Sequence, residues 1–228
     1  AKGAGVATLT AARADGTVAA GAAGGGWVWL RLDTARLATP VPLVGGNSKI
    51  AQFWLILPAT PPSRHTERNV ALAADLRDVS VPVAVPALGR TIADVAFGVT
   101  VMGAIPSGPA RQAAATWRDS GGTAELDHLD LSWGPLHIAA SGTLALDRDL
   151  QPVGSFSGAV GGIDALLKAL TAAGELRSSD ARLAGLALRL MERPGPGGKP
   201  QVASSFSIQN GEIFLGPARL GRMPRIDW

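Results

Sequence analysis

Cysteine and tyrosine are absent from the 228-residue chain. The lack of cysteine excludes disulfides, thiolate nucleophiles and cysteine-ligated metal sites. Long apolar runs are absent too, because the most apolar segment, Gln52–Pro58, falls far short of the roughly 18–20 residues of a membrane-spanning helix. Only 17% of the residues are charged, and the net charge of +3 comes without a basic run. Nucleic-acid binding, which requires clustered positive charge, is therefore not indicated.

The segment Gly121–Gly162 is the most informative part of what is present, since it alternates apolar and polar residues. That pattern is typical of strands with one apolar face. The apolar positions from Leu136 to Leu146 keep strict period two, and those from Leu126 to Trp133 join them if a β-bulge near His128 absorbs a one-residue slip. We therefore predict a β-meander that turns once, at the polar tip Asp147–Pro152.

Further strands are predicted at about residues 27–30, 50–57, 70–76, 79–85, 95–101, 202–208 and 213–215. The run 50–57 is apolar on both faces and is expected to be buried. The alternation at 79–85 is one residue out of phase with that at 70–76. Because Pro82 and Pro86 lack N–H donors, this piece is expected to be an edge or bulged strand. Asn210-Gly211 predicts a hairpin turn.

Three short amphipathic helices are predicted. The first follows Ser107-Gly108-Pro109, with Ser107 as its cap, and stops at Gly121. The others cover about residues 162–173 and 179–192. The last carries an apolar stripe at helical spacing, formed by Leu183, Leu186, Ala187 and Leu190.

Together these elements predict a mainly β (α+β) fold, in which a curved antiparallel sheet of many strands carries two to three short amphipathic helices packed on it. Residues 1–106 form an N-terminal β region, expected to be incomplete at its start. Residues 107–228 form a C-terminal region of meander, helices and hairpin that continues the same sheet.

Residues that could carry chemistry have simpler explanations as turn or surface groups. The three histidines, His65, His128 and His137, are isolated, and a metal site needs two or three ligands that converge. Asp147 and Asp149 lie in a turn, where aspartate bonds to its own backbone. We therefore predict no catalytic residue, no metal site and no cofactor, and we expect the protein not to be an enzyme.

Apolar and basic side chains suggest binding surfaces instead. The residues predicted to form an apolar face for a ligand or a partner are Trp27, Trp29, Trp133, Leu136, Ile138, Leu144 and Leu146. The competing interpretation places the same side chains in a closed core. The basic residues Arg219, Arg222 and Arg225 are expected either in a solvated tail or against anionic lipid heads.

Several short motifs resemble a bacterial envelope family, the domain-of-unknown-function family 2125, found chiefly in alphaproteobacteria. They are Trp133-Gly-Pro, Ser141-Gly-Thr-Leu-Ala-Leu-Asp147, Gln151-Pro152 and Gly216-Pro217. The resemblance is good over about residues 117–224 and poor before Val95. It implies a protein with an N-terminal membrane-targeting segment, which is expected to be missing from this chain. A looser similarity links the chain to AsmA-like envelope proteins, whose long curved sheets present an apolar inner face to lipids.

The resemblance implies a location in the periplasm or on the periplasmic face of the inner membrane. Our leading functional hypothesis is a non-enzymatic, membrane-associated protein that binds a lipid-like or other apolar ligand on the inner face of a curved sheet. The alternative is a structural or accessory subunit that docks on a membrane protein complex through an apolar face or a sheet edge.

Overall fold

A single antiparallel sheet dominates the structure, a computed structural model that describes residues 8–22, 24–38, 46–195, 198–216 and 218–228. Thirteen strands join this sheet within the described residues. They are β1 (Thr8–Thr10), β2 (Arg13–Ala20), β3 (Gly26–Ala38), β4 (Gly46–Leu57), β5 (Arg68–Val85), β6 (Gly89–Met102), β7 (Ala124–Trp133), β8 (Leu136–Leu146), β9 (Pro152–Gly161), β10 (Glu192–Pro194), β11 (Pro200–Gln209), β12 (Glu212–Leu215) and β13 (Ala218–Arg222). The predicted fold class, mainly β with a large antiparallel sheet and short helices, is confirmed.

The strand order follows the chain closely, so most strands pair with the one before them; β2 and β10 are the exceptions, and each pairs only with the strand that follows it. The long strands β3 to β9 and then β11 lie side by side, with β1 and β2 along one edge and β10, β12 and β13 along the other. The sheet stays open, because its two edges do not meet. Strand β6 pairs with β7, so one sheet crosses the division at residues 106 and 107.

The segment Gly121–Gly162 forms the predicted meander of β7, β8 and β9. The predicted bulge is confirmed, because the register between β7 and β8 shifts between Leu126 and Leu129. The chain turns twice rather than once. The additional turn is Gly134-Pro135, where Gly134 adopts a φ of 55°, a conformation that favours glycine.

A row of irregular residues crosses the sheet near one end and explains the phase slip at residues 77–79. Thr34 and Asp78 have φ values of 53° and 50°, and Lys49 lies between them on β4. Strands β3, β4 and β5 each take one extra residue at this row. Their pairing therefore stays in register on both sides of the row, while the side chains that point to a given face shift by one position along each strand. For this reason Leu32 and Ala35, three residues apart, are both buried.

Exposure corrects one expectation about the strands that carry or precede prolines, and the pairing confirms another. Strand β4 ends before Pro58, but its C-terminal residues Ile56 and Leu57 are 54% and 44% exposed, so the predicted burial on both faces is wrong there. The second half of β5 is bulged as predicted, with a register shift between Ser80 and Val85. The prolines explain the shift, since they cannot donate to the ladder.

The described residues contain three helices, α1 (Ala110–Asp119), α2 (Ile163–Ala172) and α3 (Ser178–Met191). Ser107 does not cap α1, because Pro109 occupies the N-cap position and no side chain caps the helix. Helix α1 contacts β8, as does α2, while α3 contacts α2 and β11. None of these helices has the length and apolar character needed to cross a membrane.

Candidate ligand-binding face

One face of the sheet, called the apolar face below, is apolar across every long strand. Pairing fixes its membership, because residues directly opposite each other in neighbouring strands point to the same side. Leu30 pairs with Phe53, which pairs with Ala74, and the row continues to the far side of the sheet. Its large members are Val28, Leu30, Leu32, Phe53, Leu55, Leu72, Leu76, Val95, Phe97, Val99, Leu126, Leu129, Leu131, Ile138, Leu144, Phe156, Val160, Val202 and Phe206.

The opposite face, called the polar face, carries small hydroxyl groups and charges over most of its width. Ser141, Ser157 and Ser205 pair with one another across β8, β9 and β11. Thr143 Oγ1 donates to Glu125 Oε2 at 2.5 Å, which holds this pair on the surface. Because one face is apolar and the other polar, contact with water is favourable only for the polar face.

Most of the apolar face is only half-buried. Leu32, Ala51, Ala74 and Val202 are its buried members, whereas Leu72 is 40% exposed and the other large side chains are intermediate. The molecule has an accessible surface of 14358 Å². A compact monomer of this mass, 23.2 kDa, exposes about 9,700 Å². The excess over this value belongs to the whole chain, and of the side chains named above only Leu72 is exposed, so the apolar face is neither fully closed nor fully open.

Helix α1 and the C-terminal residues cover one end of the apolar face. Trp117 of α1 is buried, and its Nε1–H donates to Met102 O at 2.8 Å. At the C-terminus, Trp228 Nε1–H donates to Leu150 O at 2.8 Å, and Ile226 N–H donates to Gln151 Oε1 at 2.9 Å. Together they form an apolar cavity of ≈ 430 Å³ that is open to solvent on one side, lined mainly by Val101, Ile105, Ala114, Trp117, Leu144 and Trp228.

A family model, described as an uncharacterized protein conserved in bacteria (DUF2125), matches residues 4–224. The chain belongs to this family. No curated protein and no solved structure matches the chain. The match also corrects the expected extent of the resemblance, because it reaches almost to the N-terminus rather than starting near Trp117.

In this DUF2125 protein, the predicted apolar-face residues fall into two groups on opposite sides of the sheet. Trp133, Leu136, Ile138, Leu144 and Leu146 share the apolar face, with Leu144 and Leu146 lining the cavity beneath α1. Trp27 and Trp29 instead pair with Ile56 and Trp54 on the polar face. There they form a separate apolar patch, with Trp27 45% and Ile56 54% exposed.

Trp133 lies at the end of β7 opposite α1, beside Leu136. Its indole Nε1 is buried and has no hydrogen-bond partner among the described residues. Buried polar groups usually find partners. Trp133 is thus an exception to this rule, and it lies at the end of the apolar face away from the cavity under α1.

Sequence reasoning missed most of the apolar face, including Phe53, Phe97, Phe156 and Phe206. Each lies at an alternating position, so the local signal was present in its own strand. Only the pairing of β3 to β11 shows that these positions form one surface.

The groups that could have carried chemistry occupy surface or turn positions. The described residues hold no cluster of three metal-ligating side chains. His65, His128 and His137 are all exposed, and the ring of His128 lies over Gly98, 2.8 Å from where a Cβ would stand.

The aspartates have structural roles. Asp127, the other bulge residue, accepts a hydrogen bond from the buried Thr100 hydroxyl at 2.7 Å. Asp147 Oδ1 accepts the N–H groups of Asp149 and Gln151, both at 2.8 Å, as expected of a turn.

The predicted basic cluster is dispersed among ion pairs. Arg219 and Arg222 lie 3.1 and 3.4 Å from Glu212, and Arg225 lies 3.9 Å from Asp149. All three arginines are exposed, so each pair contributes little stability. The segment is neither a free tail nor a concentrated positive patch.

Proposed function

We propose that the apolar face binds a lipid-like molecule, with the acyl chain lying across the strands. The observation that supports this proposal is the continuity of the apolar face from β3 to β11, together with the partial exposure of most of its large side chains. Burial of apolar surface contributes roughly 25 cal/mol per Å². The free energy of binding is therefore favoured when an apolar ligand covers the accessible part of this face. A contiguous apolar surface that stays accessible on a folded protein is typical of binding surfaces.

The chemistry of the face suits a hydrocarbon chain. Its members between β3 and β11 include no charged side chain, so recognition rests on shape and apolar contact rather than on hydrogen bonds. The cavity under α1 is apolar on nearly all sides and provides a place for the end of a chain. Because the candidate catalytic groups occupy turns and the polar face, we propose binding rather than catalysis.

A titration with a fluorescent fatty acid tests the proposal through a matched pair of variants. Phe156→Asp places a carboxylate in the middle of the apolar face, beside Phe206. Ser157→Asp places the same group on the polar face of the same strand, between Ser141 and Ser205. A buried unpaired charge costs several kcal/mol, so we expect Phe156→Asp to weaken binding at least about tenfold and Ser157→Asp to leave it unchanged.

Circular dichroism and thermal melting establish that both variants fold. Equal affinities for Phe156→Asp, Ser157→Asp and the unchanged protein would remove the apolar face from consideration. If neither the unchanged protein nor its variants bound the probe, a lipid ligand would be ruled out.

The patch of Trp27, Trp29, Trp54 and Ile56 favours a second candidate function, that of an accessory subunit. Aromatic side chains are enriched in protein interfaces, and this patch lies on an otherwise polar face. A stoichiometric lipid in the purified protein supports the binder. A lipid-free chain that co-purifies with one membrane complex supports the subunit.

We further propose that the protein acts in the periplasm or on the periplasmic face of the inner membrane. This location is supported by the envelope resemblance of the meander motifs. Fractionation of the native protein from a cell that encodes it is the corresponding measurement, and recovery with cytosolic enzymes alone would contradict the location.

A further inference from the structure

Helix α3 turns its largest apolar side chains to the solvent. Leu183, Leu186, Leu190 and Met191 are 70%, 65%, 85% and 58% exposed. Three of these belong to the apolar stripe that the sequence predicted to pack inward. Among the described residues no element covers them.

The inward side of α3 is built from smaller residues. Ala181, Ala184, Gly185 and Leu188 are the half-buried positions of the helix. A Cβ built on Gly185 would lie 4.0 Å from Leu167 Cδ1 of α2, which places Gly185 at the contact between the two helices. The helix therefore packs on α2 mainly through small side chains and leaves three of its four leucines outside.

Positive charge borders the exposed leucines. At 100° per residue, Arg182 and Arg189 lie beside Leu186 on the helix surface. Both arginines line a groove of ≈ 880 Å³ between α2 and α3, together with Lys168 and a single acid, Asp164. Among the ion pairs of the described residues, none includes Lys168, Arg182 or Arg189.

We propose that α3 docks on the surface of an anionic phospholipid bilayer, with its leucines in the acyl boundary and Lys168, Arg182 and Arg189 at the headgroup phosphates. An apolar helix face bordered by cations is the pattern of helices that lie in the membrane interface. Its 14 residues extend for about 21 Å, less than the thickness of the hydrocarbon core, so the helix lies in the plane of the surface.

A protein partner fits this face less well. Protein interfaces concentrate aromatic side chains at their centre and are depleted of lysine. The exposed face of α3 has no aromatic residue, and Lys168 lies in the groove beside it. This inference goes beyond the proposed function, since docking does not depend on what occupies the apolar face.

Sedimentation with vesicles tests the docking. We expect the protein to bind vesicles of phosphatidylcholine and phosphatidylglycerol in equal parts, and to bind pure phosphatidylcholine far more weakly. The double variant Leu186→Asp, Leu190→Asp should abolish binding. The variant Arg182→Gln, Arg189→Gln should weaken it about 25-fold, since each cation near an anionic surface strengthens binding by about a factor of five.

The absence of cysteine allows a second readout at a single labelled site. Leu190→Cys, carrying an environment-sensitive fluorophore, should shift to shorter emission wavelengths on anionic vesicles, whereas Ser157→Cys with the same label should not. Leu190 and Ser157 are both exposed, so labelling does not require unfolding.

Several outcomes would overturn the docking. They are equal vesicle binding by Leu186→Asp, Leu190→Asp and the unchanged protein, equal binding to neutral and anionic vesicles, or a dimer that this double variant converts to a monomer. Phe156→Asp should bind vesicles normally while losing the fatty acid. The docking and the proposed function can therefore fail separately.

Discussion

Single polar side chains in this protein mainly hold turns at the ends of strands. Asp147 closes the β8–β9 turn, and Glu67 does the same for the loop between β4 and β5. The Glu67 carboxylate accepts the N–H groups of Ser63 at 2.7 Å and Arg64 at 3.3 Å. These hydrogen bonds lower the pKa of Glu67 from its usual 4.5, with that of Ser63 contributing most.

Replacement of Glu67 by glutamine should remove the pH-dependent contribution that this carboxylate makes to the stability of the fold. A carboxylate with a lowered pKa in the folded state stabilises the protein above its unfolded pKa. That contribution is lost as the pH falls through the folded pKa, which lies below 4.5. We therefore expect the melting temperature of Glu67→Gln to lie below that of the unchanged protein at neutral pH, and the gap to close at acidic pH.

Thermal melting across this pH range checks the prediction. Glu175→Gln provides the control, because Glu175 is exposed and its side chain accepts no hydrogen bond within the described part of the chain. A gap that stayed constant, or widened in acid, would show that Glu67 does not act through its charge.

At the scale of elements, helix α1 is held against the apolar face by the fit between Trp117 and Gly122. A Cβ on Gly122 would collide with the indole ring of Trp117. Gly122 is itself buried, just after the helix ends. A side chain at position 122 is therefore incompatible with the observed position of the Trp117 ring.

Gly122→Ala should consequently destabilise the protein by about 1–3 kcal/mol, the usual cost of overpacking. Gly221→Ala is the matched control, since no atom lies within 4 Å of the position of its Cβ. The control should fall within about 0.5 kcal/mol of the unchanged protein. Urea unfolding measures both values, and identical midpoints for the two variants would contradict the packing of α1 described above.

The elements differ in how far the sequence could predict them. Alternation and turn residues predicted the meander, its bulge near His128 and the hairpin at Asn210-Gly211, because these depend on neighbours along the chain. Strand β2 was missed, since Arg13–Ala20 is mostly small residues that pair only along an edge.

The candidate site was harder to predict, because it depends on contacts between distant segments. Trp27 and Trp133 belong to opposite faces, and their relation follows only from the pairing of the five strands β3 to β7. The positive φ value of Thr34 has no signal in its residue type, because β-branched residues rarely adopt it. The periodicity of α3 predicted an apolar stripe correctly, but periodicity does not show what covers the stripe.

At the scale of the whole molecule, the protein is a broad sheet with one polar and one apolar face. Helix α1 covers one end of the apolar face, while α2 and α3 pack on each other and on the sheet and expose leucines and cations. The proposed binding and the proposed docking use different surfaces. A lipid held on the apolar face would thus be carried by a protein that rests on the bilayer through α3.

Photo-crosslinking with a diazirine-bearing fatty acid, followed by peptide mapping, tests the binding claim most directly. We expect labels on apolar-face residues such as Phe97, Leu129 and Phe156, and in the cavity at Leu144. Unlabelled fatty acid in excess should remove these labels. Labels confined to the patch around Trp27 and Ile56, or spread equally over both faces, would contradict the account.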